Sequence, residues 1–208
     1  MPKAVIIGGA PVSDYKRARS FIDENDYIIF CDSGLAHSEK LGIKPNLIIG
    51  DFDSHENPHS SAETIVLPHM KDDTDTVFAV KEVIKRGFDS CVMLGCAGGR
   101  IDHTAGNISA LLMLENAGVK AMLADDYCEM EILTDKEKYI KDSYPYFSLL
   151  CLFGQAKGVN ISGALYPLEN AEIKPDYQYG ISNEPLPGET AKVSVKEGRL
   201  LLVKVAKE

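Results

Sequence analysis

The sequence predicts an α/β protein whose amino-terminal part is built on a parallel sheet and whose carboxy-terminal part is antiparallel β structure. Three observations carry this expectation. Continuous apolar runs of strand length recur at residues 4–7, 27–30, 47–49, 91–94 and 121–123, the pattern of strands buried on both faces. Helical patterns alternate with them at 13–22, 35–41, 75–86 and 102–116, and such alternation builds a parallel sheet. After Leu123 the segments near 130–133, 147–153, 159–161 and 200–205 are short and separated by polar or Pro- and Gly-containing stretches, as antiparallel strands are.

Taken in order, the first run leads into Gly8 and Gly9, and the run at 27–30 ends at Cys31-Asp32-Ser33-Gly34. A further short strand is expected at 64–67. Thr74 is a fitting N-cap for the helix over 75–86, with Val77, Phe78, Val80, Val83 and Ile84 at its apolar positions and Lys85 and Arg86 in its last turn, where cations favour the helix dipole. Gly87 and Gly118 follow the last two helical patterns as C-terminal caps. Pro145, Pro167, Pro175, Pro185 and Pro187 fall in the carboxy-terminal part, where they punctuate turns or edge strands. The change of pattern places a domain boundary within 124–138, giving domains over 1–130 and 131–208.

The chain has 208 residues, 45% apolar and 25% charged, an ordinary globular composition. At this size folding removes roughly 70% of the unfolded chain's accessible surface, so a core forms without disulfides or structural metal. Lys and Arg number 22 against 31 Asp and Glu, a net charge of −9, which disfavours nucleic acid and anionic membrane as partners. An anionic substrate then needs local cations or a bound metal. Cys31, Cys91, Cys96, Cys128 and Cys151 form no C-x-x-C pair, and their odd number speaks against a fully paired disulfide framework. The amino-terminal apolar stretch is too short for a signal peptide and no run would span a bilayer, so a cytoplasmic location is expected.

The densest chemistry is Gly50-Asp51-Phe52-Asp53-Ser54, directly after the run at 47–49. Ligands of open α/β sheets bind beyond the carboxyl ends of the strands. Two carboxylates at i and i+2 converge on a hard cation when a turn carries them. A solvated acidic turn is the alternative, since Asp favours loops for backbone reasons. A second acidic cluster, Lys71-Asp72-Asp73-Thr74-Asp75-Thr76, sits at a helix entrance, and two such clusters at strand ends point to a magnesium site. Asp75 also suits the helix dipole, but four acidic or hydroxylic residues exceed what capping needs. At Asp32-Ser33-Gly34 the glycine lets a ligand approach the backbone.

A third segment, Gly95-Cys96-Ala97-Gly98-Gly99-Arg100-Ile101-Asp102-His103-Thr104, joins a strand pattern to a helix pattern. Backbone amides at such an entrance bind phosphate, although the segment is neither a P-loop nor a dinucleotide fingerprint. Arg100 offers a guanidinium fork for phosphate oxygens, with a salt bridge to Asp102 or another acidic residue as the alternative. His103 reads as a ligand, an acid-base group or a structural hydrogen-bonding residue. His55 and His59 have a helical spacing, but Pro58 disfavours a helix and no cysteine pair completes a zinc site.

Together and in this order, Asp32-Ser33-Gly34, Gly50-Asp51-Phe52-Asp53-Ser54, Thr74-Asp75 and Gly98-Gly99-Arg100-Ile101-Asp102 resemble the thiamine pyrophosphokinase family, over essentially the whole chain. The resemblance implies an α/β nucleotide-binding domain that holds ATP and magnesium, then a β-sandwich that binds thiamine and mediates dimerisation. It also implies a homodimer with thiamine sites between subunits. It carries Asp51, Asp53 and Asp75 to metal-binding positions and, with Arg100 and Asp102, to catalytic ones. Asp32, Ser33, Gly34, Asp72, Thr74, Gly98, Gly99 and Arg100 fall at nucleotide-binding positions.

In the tail, Gly163-Ala164-Leu165-Tyr166-Pro167-Leu168 resembles the family segment whose aromatic residue stacks on thiamine, with Tyr166 in place of the Trp of some members. Ser182 and Asn183 resemble a later substrate-contacting segment. Thiamine's ring cation is attracted to an aromatic face; core or interface packing is the other role open to Tyr166. The implied reaction transfers the pyrophosphoryl group of ATP to the hydroxyl of thiamine, giving thiamine diphosphate and AMP. A pyrophosphokinase acting on a pterin alcohol and a non-catalytic nucleotide sensor are the alternative readings.

Overall fold

The computed structural model describes residues 2–52, 62–70 and 72–207. The chain divides into two compact units, Met1–Asp126 and Tyr127–Glu208. In the first, β1 (Ala4–Ile7), β2 (Tyr27–Cys31), β3 (Leu47–Gly50), β4 (Glu63–Val66), β5 (Ser90–Leu94) and β6 (Lys120–Ala124) pair in the order β4-β3-β2-β1-β5-β6, each parallel to its neighbour. All of β1 and β3 is buried, as their unbroken apolar runs require in a sheet covered on both faces. The crossovers carry α1 (Tyr15–Ser20), a 3-10 helix (Asp32–His37) running into α2 (Ser38–Leu41), α3 (Asp75–Lys85) and α4 (Ile101–Asn116).

From β1 to β3 the sheet grows in one direction, and from β5 to β6 in the other. Right-handed crossovers therefore put α1 and α2 on one face and α3 and α4 on the opposite one. Val5, Ile7, Ile28, Phe30, Val92 and Leu94 accordingly share a core with Ala18 of α1 and Leu41 of α2. The helix expected over 13–22 is shorter because Asp14 caps it, its side chain accepting from Arg17 N–H at 2.9 Å. The pattern at 35–41 is two helices, since 3-10 winding begins at Asp32, directly off β2. Gly118, at φ +78°, lets α4 end with Val119 N–H donating to Leu114 O at 3.0 Å, a closure that needs the left-handed conformation.

In the second unit β7 (Cys128–Leu133), β8 (Lys138–Lys141), β9 (Tyr146–Leu150), β10 (Ala156–Ser162), β11 (Leu168–Ile173), β12 (Thr190–Ser194) and β13 (Leu200–Val205) form two antiparallel groups, β7-β13-β9 and β11-β10-β12-β8. Phe147, Leu149 and Leu202 of the first and Ile140, Val159, Ile161 and Val193 of the second share one core. The division at Asp126 precedes β7, so a boundary after residue 130 falls inside a continuous strand. Among the described residues no helix is long and apolar enough to cross a membrane.

A charged network crosses β7 and β13. Lys204 Nζ lies 3.1 Å from Glu129 Oε2 and 3.2 Å from Glu131 Oε1, Tyr144 donates to Glu129 at 2.8 Å, and Lys138 pairs with Glu131. Burial opposes the charge on Glu131, but Lys138 and Lys204 outweigh it and hold its carboxyl below 4.5. Burial likewise opposes the Lys204 charge, and Glu131 and Glu129 reverse that, raising it above 10.5. The carboxylate's contribution to stability is thus present above its unfolded value and lost as pH falls through the folded one; the ammonium's is present below its unfolded value and lost as pH rises through its own. Lys204→Met should cost about 2 kcal/mol at pH 7, because it leaves the largely buried Glu129 with Tyr144 and Glu131 with Lys138. Urea unfolding at pH 7 and pH 4 checks this: the loss should shrink at the lower pH, and an equal loss at both would rule out an electrostatic origin.

Candidate active site

β1 is the strand from which the sheet grows both ways, so the gap between the loops after β1 and β5 is its topological switch point, where open α/β sheets bind ligands. Glycines make the two loops meet backbone to backbone. Gly8 N–H donates to Leu94 O and Ala10 N–H to Gly95 O, both at 2.8 Å. A Cβ on Gly8 would come within 2.5 Å of Gly95 O, and one on Gly95, at φ +59°, within 2.4 Å of Gly8 O. Only glycine allows that approach. A cavity of about 310 Å3 opens there, lined by residues 8–11, Ser33, the Gly98-Gly99-Arg100 turn, Thr76 and Asn107.

Asp32 and Asp51 directly follow the paired strands β2 and β3. Asp32 leaves β2 at φ +28° and Phe52 follows Asp51 at φ +55°; left-handed backbone at non-glycine residues is strained and clusters at functional sites. Asp32 is buried against Gly50, whose added Cβ would meet the Asp32 Cβ at 2.9 Å, so it packs against the residue before Asp51. Asp75 lies in the first turn of α3, next to Thr76 on the cavity wall. The Cys31 thiol is pushed far up by burial, then by Cys96, Asp75 and Asp32, against a hydrogen bond with Thr76.

Asp53 lies outside the described residues, as do Ser54, His55 and His59. Asp51, with its side chain 13% exposed, lies 3.9 Å from the Nδ1 of the exposed His69. Thr74 caps α3 by accepting from Val77 N–H at 3.3 Å, Asp73 pairs with Lys81, and Asp72 is exposed. Carboxylate oxygens are the donors that magnesium prefers, so the donor chemistry fits that ion. Among the described residues no three His, Cys, Asp or Glu side chains are grouped closely enough to hold a metal.

Arg100 precedes α4 and forms a two-pronged pair with Asp102, Nε to Oδ1 at 3.1 Å and an Nη to Oδ2 at 2.6 Å. The bond from Arg100 holds the Asp102 carboxyl down at about 2. Both side chains are exposed. Thr104 Oγ1 accepts from Gly98 N–H and donates to Arg100 O, both at 3.1 Å, fixing the glycine turn across the first turn of α4. His103 lines the cavity.

Sequence reasoning missed Gly8, Gly9, Thr76 and Asn107. Asn107 is buried, donates to Cys96 O at 2.7 Å and belongs to the stripe Asn107, Ala110, Leu111, Leu114 of α4. A lone polar residue in an apolar stripe was the available signal. The Gly-Gly pair after the first strand was another. The nearby thiols are buried, and burial pushes Cys96 up to about 12 and Cys91 up as well, against thiolate formation.

The second unit has a cavity of about 330 Å3 lined by Tyr166, Leu168, Tyr179, Ile181 and Asn183. Tyr166 is 61% exposed. Asn183 is buried and clamps the Tyr166 backbone, Nδ2 donating to Tyr166 O at 2.7 Å and Oδ1 accepting from Tyr166 N–H at 3.0 Å. Ser182 is exposed at φ +56°, its N–H donating to Ser148 Oγ at 3.1 Å.

Two family models match the chain. One, thiamin pyrophosphokinase, catalytic domain, covers residues 18–123; the other, thiamin pyrophosphokinase, vitamin B1 binding domain, covers residues 129–200. Thiamine pyrophosphokinase of Bacillus subtilis (strain 168) is 27% identical over 187 residues, 86% of this chain and 87% of the relative. Thiamine pyrophosphokinase 1 of Oryza sativa subsp. japonica is 26% identical over 151 residues, 64% of this chain and 56% of the relative. The fold is similar to the crystal structures of thiamine pyrophosphokinase from Bacillus subtilis (TM-score 0.87, 24% identity, 99% of this chain and 100% of that one) and from yeast (TM-score 0.77, 13% identity, 98% and 86%).

Proposed function

The chain belongs to the thiamin pyrophosphokinase family, and we propose that ATP occupies the crevice between the β1 and β5 loops while thiamine is held against Tyr166. The reaction transfers the pyrophosphoryl group of ATP to the hydroxyl of thiamine, giving thiamine diphosphate and AMP. The family matches do not favour a pterin alcohol as acceptor or a non-catalytic nucleotide sensor. The observation that carries the reading of the site is the switch-point cavity, with glycine loops on one side and Ser33 and Thr76, the neighbours of Asp32 and Asp75, on its wall.

The attacking hydroxyl forms a bond to the β-phosphorus, and the bond from that phosphorus to the oxygen retained by AMP breaks. Asp51, Asp53 and Asp75 would hold magnesium, which when bound neutralises phosphate charge and aligns the polyphosphate. Gly98, its N–H held by Thr104, shapes the turn, the Gly99 main-chain amide and the Arg100 fork take phosphate oxygens, and Asp32, Ser33, Gly34, Asp72 and Thr74 border the nucleotide. The Asp102 carboxylate, beside Arg100 on the same turn, orients the hydroxyl, whose proton passes to solvent as its oxygen bonds the phosphorus.

The exposed Tyr166 supports a thiamine site completed by a second subunit, in a homodimer. Five free thiols suit a reducing compartment such as the cytoplasm. Incubation with ATP, magnesium and thiamine tests the reading: AMP with thiamine diphosphate supports it, and ADP overturns it. Tyr166→Ala should raise the thiamine KM about fivefold, from the loss of stacking and its cation–π component, with Tyr166→Phe costing less and the ATP KM unchanged. Steady-state kinetics and sedimentation check this. An active monomer whose thiamine KM ignores Tyr166→Ala removes both the contact and the dimer.

A further inference from the structure

We propose that His37 is a positioning residue for the nucleotide, holding the loop at residues 8–11 in shape through the carbonyl of Ala10; this rests on ATP occupying the switch-point crevice. His37 is buried at the end of the 3-10 helix, with Nε2 3.0 Å from Ala10 O and Nδ1 2.8 Å from the Tyr15 hydroxyl. A carbonyl only accepts, so the ring proton is on Nε2 and Nδ1 accepts from Tyr15. The hydroxyl of α1 thus selects the tautomer that can hold the loop. Burial, aided by the nearby Lys40 and opposed by the bond to Ala10, lowers the imidazole's pKa and keeps the ring neutral.

The loop depends on main-chain bonds. Gly8 and Gly9 have no side chains to anchor it, and Pro11 has no N–H to give. Ala10 is held from both sides, its N–H by Gly95 O across the crevice and its carbonyl by His37. The 3-10 helix that ends in His37 also presses Ser33 against Gly9, where a Cβ would come within 1.9 Å of Ser33 Oγ, and Gly34 against Ile7 O. One short element therefore shapes the β1 side of the cavity, and His37 is its fastening to the loop. The imidazole does not line that cavity, so its effect reaches ATP through Ala10.

The test is the pair His37→Leu and His37→Gln, with KM for each substrate, kcat and Tm measured. Leu removes the bond, whereas the Gln amide nitrogen can still donate to Ala10 O. His37→Leu should raise the ATP KM about tenfold, the scale of one lost hydrogen bond, with kcat at saturating ATP and the thiamine KM within about twofold. His37→Gln should recover most of the loss. A His37→Leu protein with lower Tm and normal ATP KM, or a Gln variant as impaired as Leu, overturns the proposal. Should His37→Leu fail to fold, Tyr15→Phe replaces it, with an expected rise of about threefold in ATP KM; no rise overturns the proposal equally. Gly9→Val separates the two levels. If it raises the ATP KM while His37→Leu does not, only the role of His37 falls; if neither does, the placement of ATP falls with it.

Discussion

Asp51→Asn, Asp53→Asn and Asp75→Asn are each expected to lower turnover by at least about a hundredfold while the proteins remain folded. The change is isosteric and removes one negative charge. Its cost to stability is small: Asp75 loses a favourable interaction with the α3 dipole, about 0.5 kcal/mol, and the left-handed Phe52 next to Asp51 keeps its backbone. If these side chains ligate magnesium, the variants should need more of the ion for their residual turnover. Asp73→Asn is the control, because its carboxylate pairs with Lys81 at the surface and such pairs contribute little; its turnover should stay within about twofold. Rates against magnesium concentration, together with Tm, check the set. Near-normal turnover in all three folded variants would exclude the metal site.

What was legible in the sequence follows from how each residue is constrained. β1, β3 and β5 could be read because burial on both faces leaves an unbroken apolar run. β8, β11 and β12 escaped notice because each has one inward face: Ile140, Ile173, and Ala191 with Val193 are flanked by Lys, Glu, Thr or Tyr that face solvent. The carboxylates of the proposed site were visible as clusters, since nothing in folding demands that density of charge there. The cavity's β1 side was not. Gly8 and Gly9 matter through what a Cβ would strike, and that depends on the β5 loop and Ser33, distant in sequence. Asn183 could be located but its contacts could not, because the partner of its amide, the Tyr166 backbone, is set by the pairing of segments in the second unit.

Arg100→Lys should lower turnover by about a hundredfold and leave the fold intact. The side chain is 72% exposed and its partner Asp102 is 61% exposed, so the pair adds little to stability and Tm should scarcely move. Its value lies in direction. Two parallel bonds to Asp102 hold the guanidinium at the glycine turn, and a phosphate arriving there exchanges for the Asp102 carboxylate on the same two donors. An ammonium keeps the charge but binds as a point, so it neither matches two phosphate oxygens nor lies in one plane with Asp102. Moving Arg100 onto phosphate would also release the Asp102 carboxylate from the bond that holds it at about 2, leaving its oxygens to orient the thiamine hydroxyl. The lysine variant therefore loses both the phosphate contact and the coupling between them. Initial rates across ATP concentrations decide the matter: wild-type turnover at saturating ATP with an unchanged ATP dependence would reduce Arg100 to a surface ion pair.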